Sequence, residues 1–128
     1  MIGHWLALVV DCPEPRKLAA FYEALLGMHR VEDEEAWVSI GAASGGEPRI
    51  GFQQVSDYRP PVWPDPRDPQ QMHLDVEVAD LDEAEHRVLA LGARLVDSAP
   101  LFRVYTDPAG HPFCLALPQQ GEHYRTGS

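Results

Sequence analysis

The chain has 128 residues, and its 10 Lys and Arg residues against 20 Asp and Glu residues give a formal net charge of −10. A chain of this length forms one compact domain or two very small fused modules. The acidic charge argues against nucleic acids and anionic membrane surfaces as partners, because both are bound through basic faces. No apolar run approaches the roughly 20 residues that a membrane-spanning helix needs.

The N-terminus lacks the basic start and the cleavage site of a signal peptide, which predicts a cytoplasmic protein. The two cysteines, Cys12 and Cys114, lie far apart in the sequence. In a reducing cytoplasm they are expected to be free thiols, and a disulfide between the two halves of the chain is the alternative.

The first half of the chain predicts a strand, a helix and three more strands, in that order. The strand covers 5–11, and its apolar face consists of Leu6, Leu8 and Val10. A turn that contains Cys12 separates it from a helix that begins near Pro15 and ends at Gly27. The apolar stripe of this helix consists of Leu18, Phe21, Tyr22, Leu25 and Leu26. The acidic run 32–35 is predicted as a solvated turn, and short strands are predicted near 28–31, 36–41 and 49–55.

Five prolines fall between Pro60 and Pro69. A proline removes a backbone donor and restricts the residue before it, so this segment cannot be helical. We interpret residues 57–71 as an extended linker between two halves of similar length.

The second half predicts the same order of elements. A strand covers 72–78, and Asp80 then caps a helix, with Glu83 completing a capping box. The helix ends at Gly92, and its apolar stripe consists of Leu81, Ala84, Val88 and Leu91. Further strands are predicted near 94–97, 102–107 and 112–117, followed by a polar tail over 119–128.

The two halves form an internal repeat. Gly27 and Gly92 are 65 residues apart, and the elements around them keep that offset within a few residues. A fixed period of this kind predicts repeated supersecondary units. The predicted fold is α+β, with two tandem βαβββ modules that form a curved mixed sheet around a cleft and helices outside. One domain, 1–118, would contain module one (4–56), the linker (57–71) and module two (72–118).

Four segments resemble the vicinal oxygen chelate superfamily, which includes glyoxalase I, bleomycin-resistance proteins and extradiol dioxygenases. They are the motifs FYEALLGM at 21–28, WP at 63–64, MHLDVEV at 72–78 and DPAGHPFCL at 107–115. Their order and spacing over residues 5–118 are most similar to the small glyoxalase-like branch. The resemblance implies paired βαβββ modules, a homodimer and a site in a concave sheet.

The resemblance also implies where a metal would be bound. The superfamily's metalloenzymes place one ligand on the first strand and one on the last strand of each module. These positions correspond to Ala7 and to Gly51 or Gln53 in module one, and to His73 and Cys114 in module two. Only His73 matches outright, and Ala and Gly carry no side-chain donor, so no cofactor is expected. A divalent metal held by His73 and Cys114, with Gln53 as a poor third ligand, is the alternative.

His73 and Asp75 are the candidate catalytic pair. Strand alternation places His73, Asp75 and Glu77 on one face, opposite the apolar residues of the same strand. In the cleft, Asp75 would hold the imidazole of a general base, and a purely structural pair is the alternative. Cys114 is expected on the same side as His73, either as a thiol nucleophile or as inert filler.

An aromatic cleft would suit a planar organic ligand. The candidate ligand-binding residues are Trp5, Ala7, Trp37, Gln53, Arg103, Tyr105 and Cys114. Arg103 would reach an anionic group or be solvated. At least one of Trp5 and Trp37 is expected in the core or in a dimer interface.

These observations favour a protein that binds a small organic molecule without the superfamily's full metal site, and the acidic charge favours a cationic guest. The alternative is a lyase, isomerase or dioxygenase that uses His73 with a metal or as an acid–base group. A third interpretation is an accessory domain whose cleft is packed shut by aromatic side chains.

Overall fold

The computed structural model describes residues 1, 3–43, 49–62, 67 and 71–118. The chain divides into two compact units, Met1–Arg59 and Pro60–Ser128. The WP motif at 63–64 and the predicted polar tail lie outside the described residues, so the predicted linker and tail boundaries stay predictions. No helix in the described part of the chain is long and apolar enough to cross a membrane.

The first unit consists of one helix and a four-stranded mixed sheet. Its elements in chain order are β1 (Ala7–Cys12), α1 (Pro15–Leu26), β2 (His29–Asp33), β3 (Trp37–Gly41) and β4 (Arg49–Gln54). The strand order across the sheet is β1-β4-β3-β2. β1 and β4 run parallel, whereas the other neighbours are antiparallel.

The second unit repeats this arrangement. Its elements are β5 (Leu74–Glu77), α2 (Leu81–Ala90), β6 (Arg94–Ser98), β7 (Phe102–Thr106) and β8 (Pro112–Ala116). The strand order is β5-β8-β7-β6, and the first and last strands are again parallel. The predicted α+β class with two βαβββ modules is therefore confirmed.

The repeat extends to the irregularities of the sheets. The pairing of β2 with β3 shifts register between Arg30 and Glu32. The pairing of β6 with β7 shifts between Leu95 and Asp97, the equivalent place in the second module. A bulge bends its strand and changes the direction of the side chains beyond it. The same kind of bulge therefore determines on which face of its sheet Glu32 or Asp97 lies.

Each helix packs on one face of its own sheet. Tyr22 of α1 stacks on Phe52 of β4 with ring centroids 5.7 Å apart, and Val38 and Ile40 of β3 are fully buried. Burying a side chain of this size contributes about 1.5–3 kcal/mol. In α2 the predicted stripe is confirmed at Leu81 and Val88, which are buried. It is wrong at Leu91, which caps the helix and is exposed.

The acidic run 32–35 is only partly the predicted solvated turn. Glu32 and Asp33 are the last residues of β2. Asp33 Oδ1 accepts hydrogen bonds from Arg16 Nε (2.9 Å) and Arg30 Nη1 (3.1 Å). These bonds lower the pKa of the Asp33 carboxyl, and the bond from Arg16 has the largest effect. Asp33 thus joins α1 to the edge strand β2.

The bounds of β1 and β5 differ from the prediction at residues that belong to the predicted sites. β1 begins at Ala7 and ends at Cys12, which is fully buried and belongs to the strand, not to the following turn. Its thiol donates to the carbonyl oxygen of Gln53 on β4, 3.6 Å away. In the second unit β5 begins at Leu74, so His73 lies one residue before it.

The two helices begin differently. In α2 the Asp80 side chain accepts a hydrogen bond from the backbone N–H of Glu83 (3.1 Å), which confirms the predicted cap. In α1 the N-cap residue Glu14 makes no side-chain cap bond, and Pro15 occupies the first turn. At its other end α1 closes on Gly27 with φ of 67°, a left-handed conformation that glycine adopts readily.

We expect Asp80→Ala to lower the free energy of unfolding by about 1 kcal/mol, because it leaves a backbone N–H of the first turn without its acceptor. The matched control is Glu14→Ala at the equivalent position of α1, which removes no cap bond and should cost less than about 0.5 kcal/mol. Urea unfolding followed by circular dichroism measures both, and equal losses would contradict the assignment of the cap.

Candidate functional sites

Residues that pair directly across neighbouring strands project to the same side of a sheet. The pairings therefore assign each side chain to a face. One face of each sheet packs against the helix of its own unit, and we call the opposite one the far face. On the far face of module one, one row consists of Val9, Gly51, Ser39 and Glu32. The adjoining row consists of Asp11, Gln53 and Trp37.

The indole of Trp37 lies across Gly51 on this far face. A Cβ atom at position 51 would overlap the six-membered ring, with Cζ2 of Trp37 only 2.9 Å away. Since real Cβ atoms do not come this close to another atom, any larger residue at position 51 would displace the ring. Only glycine at position 51 therefore leaves room for the Trp37 ring in this position.

Glu32 holds the indole at its polar edge. Its Oε1 accepts hydrogen bonds from Trp37 Nε1 (3.1 Å) and from Ser39 Oγ (2.7 Å). The bond from Ser39, then the bond from Trp37 and the nearby charge of Arg49, lower the pKa of the Glu32 carboxyl. The ionised carboxylate therefore fixes the position of the ring over the sheet.

Polar and aliphatic groups surround the indole. Gln53 Nε2 donates to Asp11 Oδ1 across the parallel strands, at 2.7 Å. Val9, beside Gly51, is 46% exposed. The far face of module one thus combines an aromatic and aliphatic surface with two carboxylates, those of Asp11 and Glu32.

Three donor-bearing side chains converge on the far face of module two. Asp75 of β5 pairs directly with Cys114 of β8, and His73 precedes Asp75 by two residues and projects to the same side. His73 Nε2 lies 3.3 Å from Asp75 Oδ1. One ligand atom from each of His73, Asp75 and Cys114 lies within 4.8 Å of the other two.

The exposure of the three groups differs. The side chains of His73 and Asp75 are 23% and 38% exposed, whereas Cys114 is buried. A carboxylate beside an imidazole orients its tautomer for proton transfer. Imidazole, carboxylate and thiolate are also the groups with which proteins bind zinc. Three of the predicted site residues therefore meet in an arrangement suited to either chemistry.

Arg103 and Tyr105 lie on the opposite face of module two, against α2. Arg103 Nη2 donates to Asp82 Oδ1 (2.7 Å), and Tyr105 Oη donates to Glu85 Oε1 (2.9 Å). Burial, and then the bond to Glu85, raise the pKa of Tyr105. The structure therefore brings neither residue to His73.

Other predicted residues fall elsewhere. Trp5 precedes β1 and is 64% exposed, so it is not part of the paired rows of the far face. Ala7 pairs with Arg49 on the far face of module one.

The resemblance implies four metal-ligand positions, and the residues that module one has at its positions do not suit a metal. Ala7 has no donor atom, and the indole of Trp37 covers Gly51. The side-chain amide of Gln53 is bonded to Asp11. Any metal held in the manner of the resemblance would therefore depend on module two alone.

Glu32 and Ser39 are not among the residues that the sequence predicted for a site. The alternation of Trp37, Ser39 and Gly41 along one strand is the pattern that points to them, because it places a hydroxyl on the same face as an indole. Glu32 becomes part of that face only through the bulge in β2. A bulge leaves no such alternation in the sequence, so the sequence does not indicate the face on which Glu32 lies.

Comparisons with known proteins identify the family. The model of the glyoxalase-like domain family matches residues 7–116. The chain therefore belongs to the glyoxalase-like domain family. No curated protein matches the chain.

Solved structures with the same fold are similar over almost their whole length. A glyoxalase/bleomycin resistance protein/dioxygenase family enzyme from Burkholderia phytofirmans PsJN has a TM-score of 0.70 and 15% identity, covering 90% of this chain and 98% of that one. The genomically encoded fosfomycin resistance protein FosX from Listeria monocytogenes has a TM-score of 0.68 and 15% identity, covering 93% and 96%. An integron cassette protein of V. cholerae has a TM-score of 0.61 and 19% identity, covering 93% and 98%. At these identities the likeness concerns the fold.

We expect Gly51→Ala to lower the free energy of unfolding by about 1–3 kcal/mol, because the new methyl group must displace the indole of Trp37. Gly3→Ala is the matched control, since nothing lies within 4 Å of a Cβ there. Urea unfolding followed by tryptophan emission measures both variants. Equal stabilities would contradict the packing of Trp37 on Gly51.

The lowered pKa of Glu32 predicts a pH dependence. The folded-state pKa lies below the ordinary value of 4.5, so the contribution of the carboxylate to stability is complete above about pH 4.5 and is lost as the pH falls through the folded-state pKa. We expect Glu32→Gln to be less stable than the wild type at pH 7 and equally stable at low pH. Urea midpoints from pH 7 to pH 3 measure this, with the exposed Glu35→Gln as control. A difference between wild type and Glu32→Gln that stays constant with pH would refute it.

Proposed function

We propose that this glyoxalase-like protein binds a small organic molecule on the far face of module one, with the indole of Trp37 as the contact surface. The observation that carries the proposal is the fixed position of that ring, packed over Gly51 and bonded to Glu32. A ring held in place before binding loses little conformational entropy when a ligand stacks on it. Aromatic surfaces with a few placed polar groups are typical of small-molecule sites.

The surrounding charges favour a cationic, planar guest. Among the described residues of this face, Glu32 and Asp11 provide two carboxylates and Arg49 provides one guanidinium. A cation over the face of an indole gains about 0.5–2 kcal/mol. The net charge of −10 adds a long-range attraction for cations.

The names of two proteins with the same fold support a role in binding small molecules. One is called a fosfomycin resistance protein and the other a glyoxalase/bleomycin resistance protein/dioxygenase family enzyme. Both names connect this fold with small organic compounds.

The test is calorimetric titration of the full chain with N-methylquinolinium and with quinoline, its neutral relative, at a pH where quinoline is uncharged. We expect saturable binding of the cation, with Trp37→Leu weakening it at least about tenfold and Trp37→Phe weakening it less, because a phenyl ring still offers a π face. Glu32→Gln should reduce the preference for the cation, whereas Glu35→Gln in the adjacent turn should leave it unchanged.

Two results would contradict the proposal. One is the absence of saturable binding by either probe. The other is equal binding by wild type and Trp37→Leu, since the ligand would then lie elsewhere.

A second candidate function is catalysis at His73, in a lyase, isomerase or dioxygenase. The observation in its favour is the 3.3 Å contact between His73 Nε2 and Asp75 Oδ1. Asp75 would hold the imidazole so that its other nitrogen exchanges a proton with a bound substrate. Once a substrate is found, loss of turnover in both His73→Ala and Asp75→Asn, with binding retained, is the expected result.

The assembly and compartment are also proposals. The resemblance supports a homodimer, and we also propose a cytoplasmic location. Analytical ultracentrifugation at micromolar concentration tests the dimer, which a single species of 14.3 kDa would exclude.

A further inference from the structure

We propose that His73, Asp75 and Cys114 form a self-contained site for a divalent transition-metal ion of the zinc class, built by module two alone. This proposal does not depend on the organic ligand, because it uses none of the residues around Trp37. It also departs from the four-position pattern of the resemblance, which draws ligands from both modules and includes no residue at position 75.

The separations of the ligand atoms suit a tetrahedral ion. With bonds of about 2.0–2.3 Å, neighbouring ligand atoms in such a site are about 3.3–3.6 Å apart. His73 Nε2 and Asp75 Oδ1 are already 3.3 Å apart. One ligand atom from each of the three residues lies within 4.8 Å of the other two, so bringing such atoms to about 3.6 Å takes at most about 1.2 Å of movement, within reach of small side-chain rotations.

Strand pairing fixes two of the three residues in place. Asp75 and Cys114 face each other across the parallel pair β5 and β8. Their neighbours along the strands, Leu74 with Phe113 and Val76 with Leu115, pair on the face that packs against the helix. A slip of one residue would expose those apolar side chains and turn Cys114 away, so the core of the module specifies the site.

The donor set selects the class of ion. A thiolate and an imidazole suit zinc, cobalt and similar ions, whereas magnesium and calcium require oxygen ligands. Three protein ligands leave the fourth tetrahedral position for water or for a ligand atom. Cys114 must lose its proton to bind, so uptake of the ion releases a proton and is favoured by higher pH.

The partial exposure of His73 and Asp75 gives the ion a route to the buried thiol. Cys12, the other buried cysteine, lies in module one, and its thiol donates to the backbone carbonyl of Gln53. Cys12 is therefore the matched control for sulfur ligation. Glu77, two residues beyond Asp75 on the same face of β5, is the matched control for the carboxylate.

The experiment titrates the chelator-treated full chain with Co²⁺ and with Zn²⁺. We expect one Co²⁺ per chain with a thiolate-to-cobalt charge-transfer band in the near ultraviolet, displaced by Zn²⁺ and unaffected by excess Mg²⁺. The band should be lost in Cys114→Ala and kept in Cys12→Ala. Asp75→Asn should weaken Co²⁺ binding at least about tenfold, and Glu77→Gln should leave it unchanged.

If Cys114→Ala fails to fold, His73→Ala provides a further variant, because His73 is partly exposed. His73→Ala should also weaken Co²⁺ binding at least about tenfold. The proposal is overturned if the wild type shows no charge-transfer band, if the band persists without Cys114, or if Asp75→Asn and Glu77→Gln bind Co²⁺ alike. Failure of N-methylquinolinium to bind would leave the cobalt result standing, so the two proposals are tested separately.

Discussion

The parallel pairing of the first and last strands determines which side chains meet in each module. β1 with β4 and β5 with β8 are joined through a helix and two further strands, so their contact is non-local in the sequence. Apolar residues on the helix side, such as Phe52 and Phe113, are fully buried and hold these pairs in register. A shift by one residue would expose the core and remove Trp37 from Gly51 and Cys114 from Asp75. The arrangement on each far face is therefore a consequence of the burial on the other.

The same backbone carries different chemistry in the two modules. Gly51 and Cys114 occupy equivalent pairing positions in their sheets, opposite Ser39 and Val104. In module one the position is covered by an indole, whereas in module two it provides a sulfur atom next to a carboxylate. The two modules thus provide two similar frames, and the side chains within them favour an aromatic surface in one and a group of metal-type donors in the other.

Local patterns in the sequence predicted most of the fold, because alternation, glycine stops and the Asp80 cap each act over a few residues. They also placed His73, Asp75 and Cys114 on one side. Local patterns did not predict the position of Glu32, since that position depends on a bulge. They also did not assign Arg103 and Tyr105 to the helix side. Those two alternate with Val104 and are equally compatible with either face until the pairing of β7 with β8 is known. The role of Gly51 required the position of the Trp37 ring, which depends on contacts between strands.

The contact between Trp37 and Gly51 also limits how module one can change over evolutionary time. A donor side chain at position 51, such as glutamate, would collide with the indole while Trp37 is present. A smaller residue at position 37 would leave Ser39 and Glu32 without the ring that they help to hold. Each substitution alone is unfavourable, and only the pair together would allow a donor side chain at position 51. The two positions are therefore coupled in sequence space, since a change at either one is tolerated only together with a change at the other.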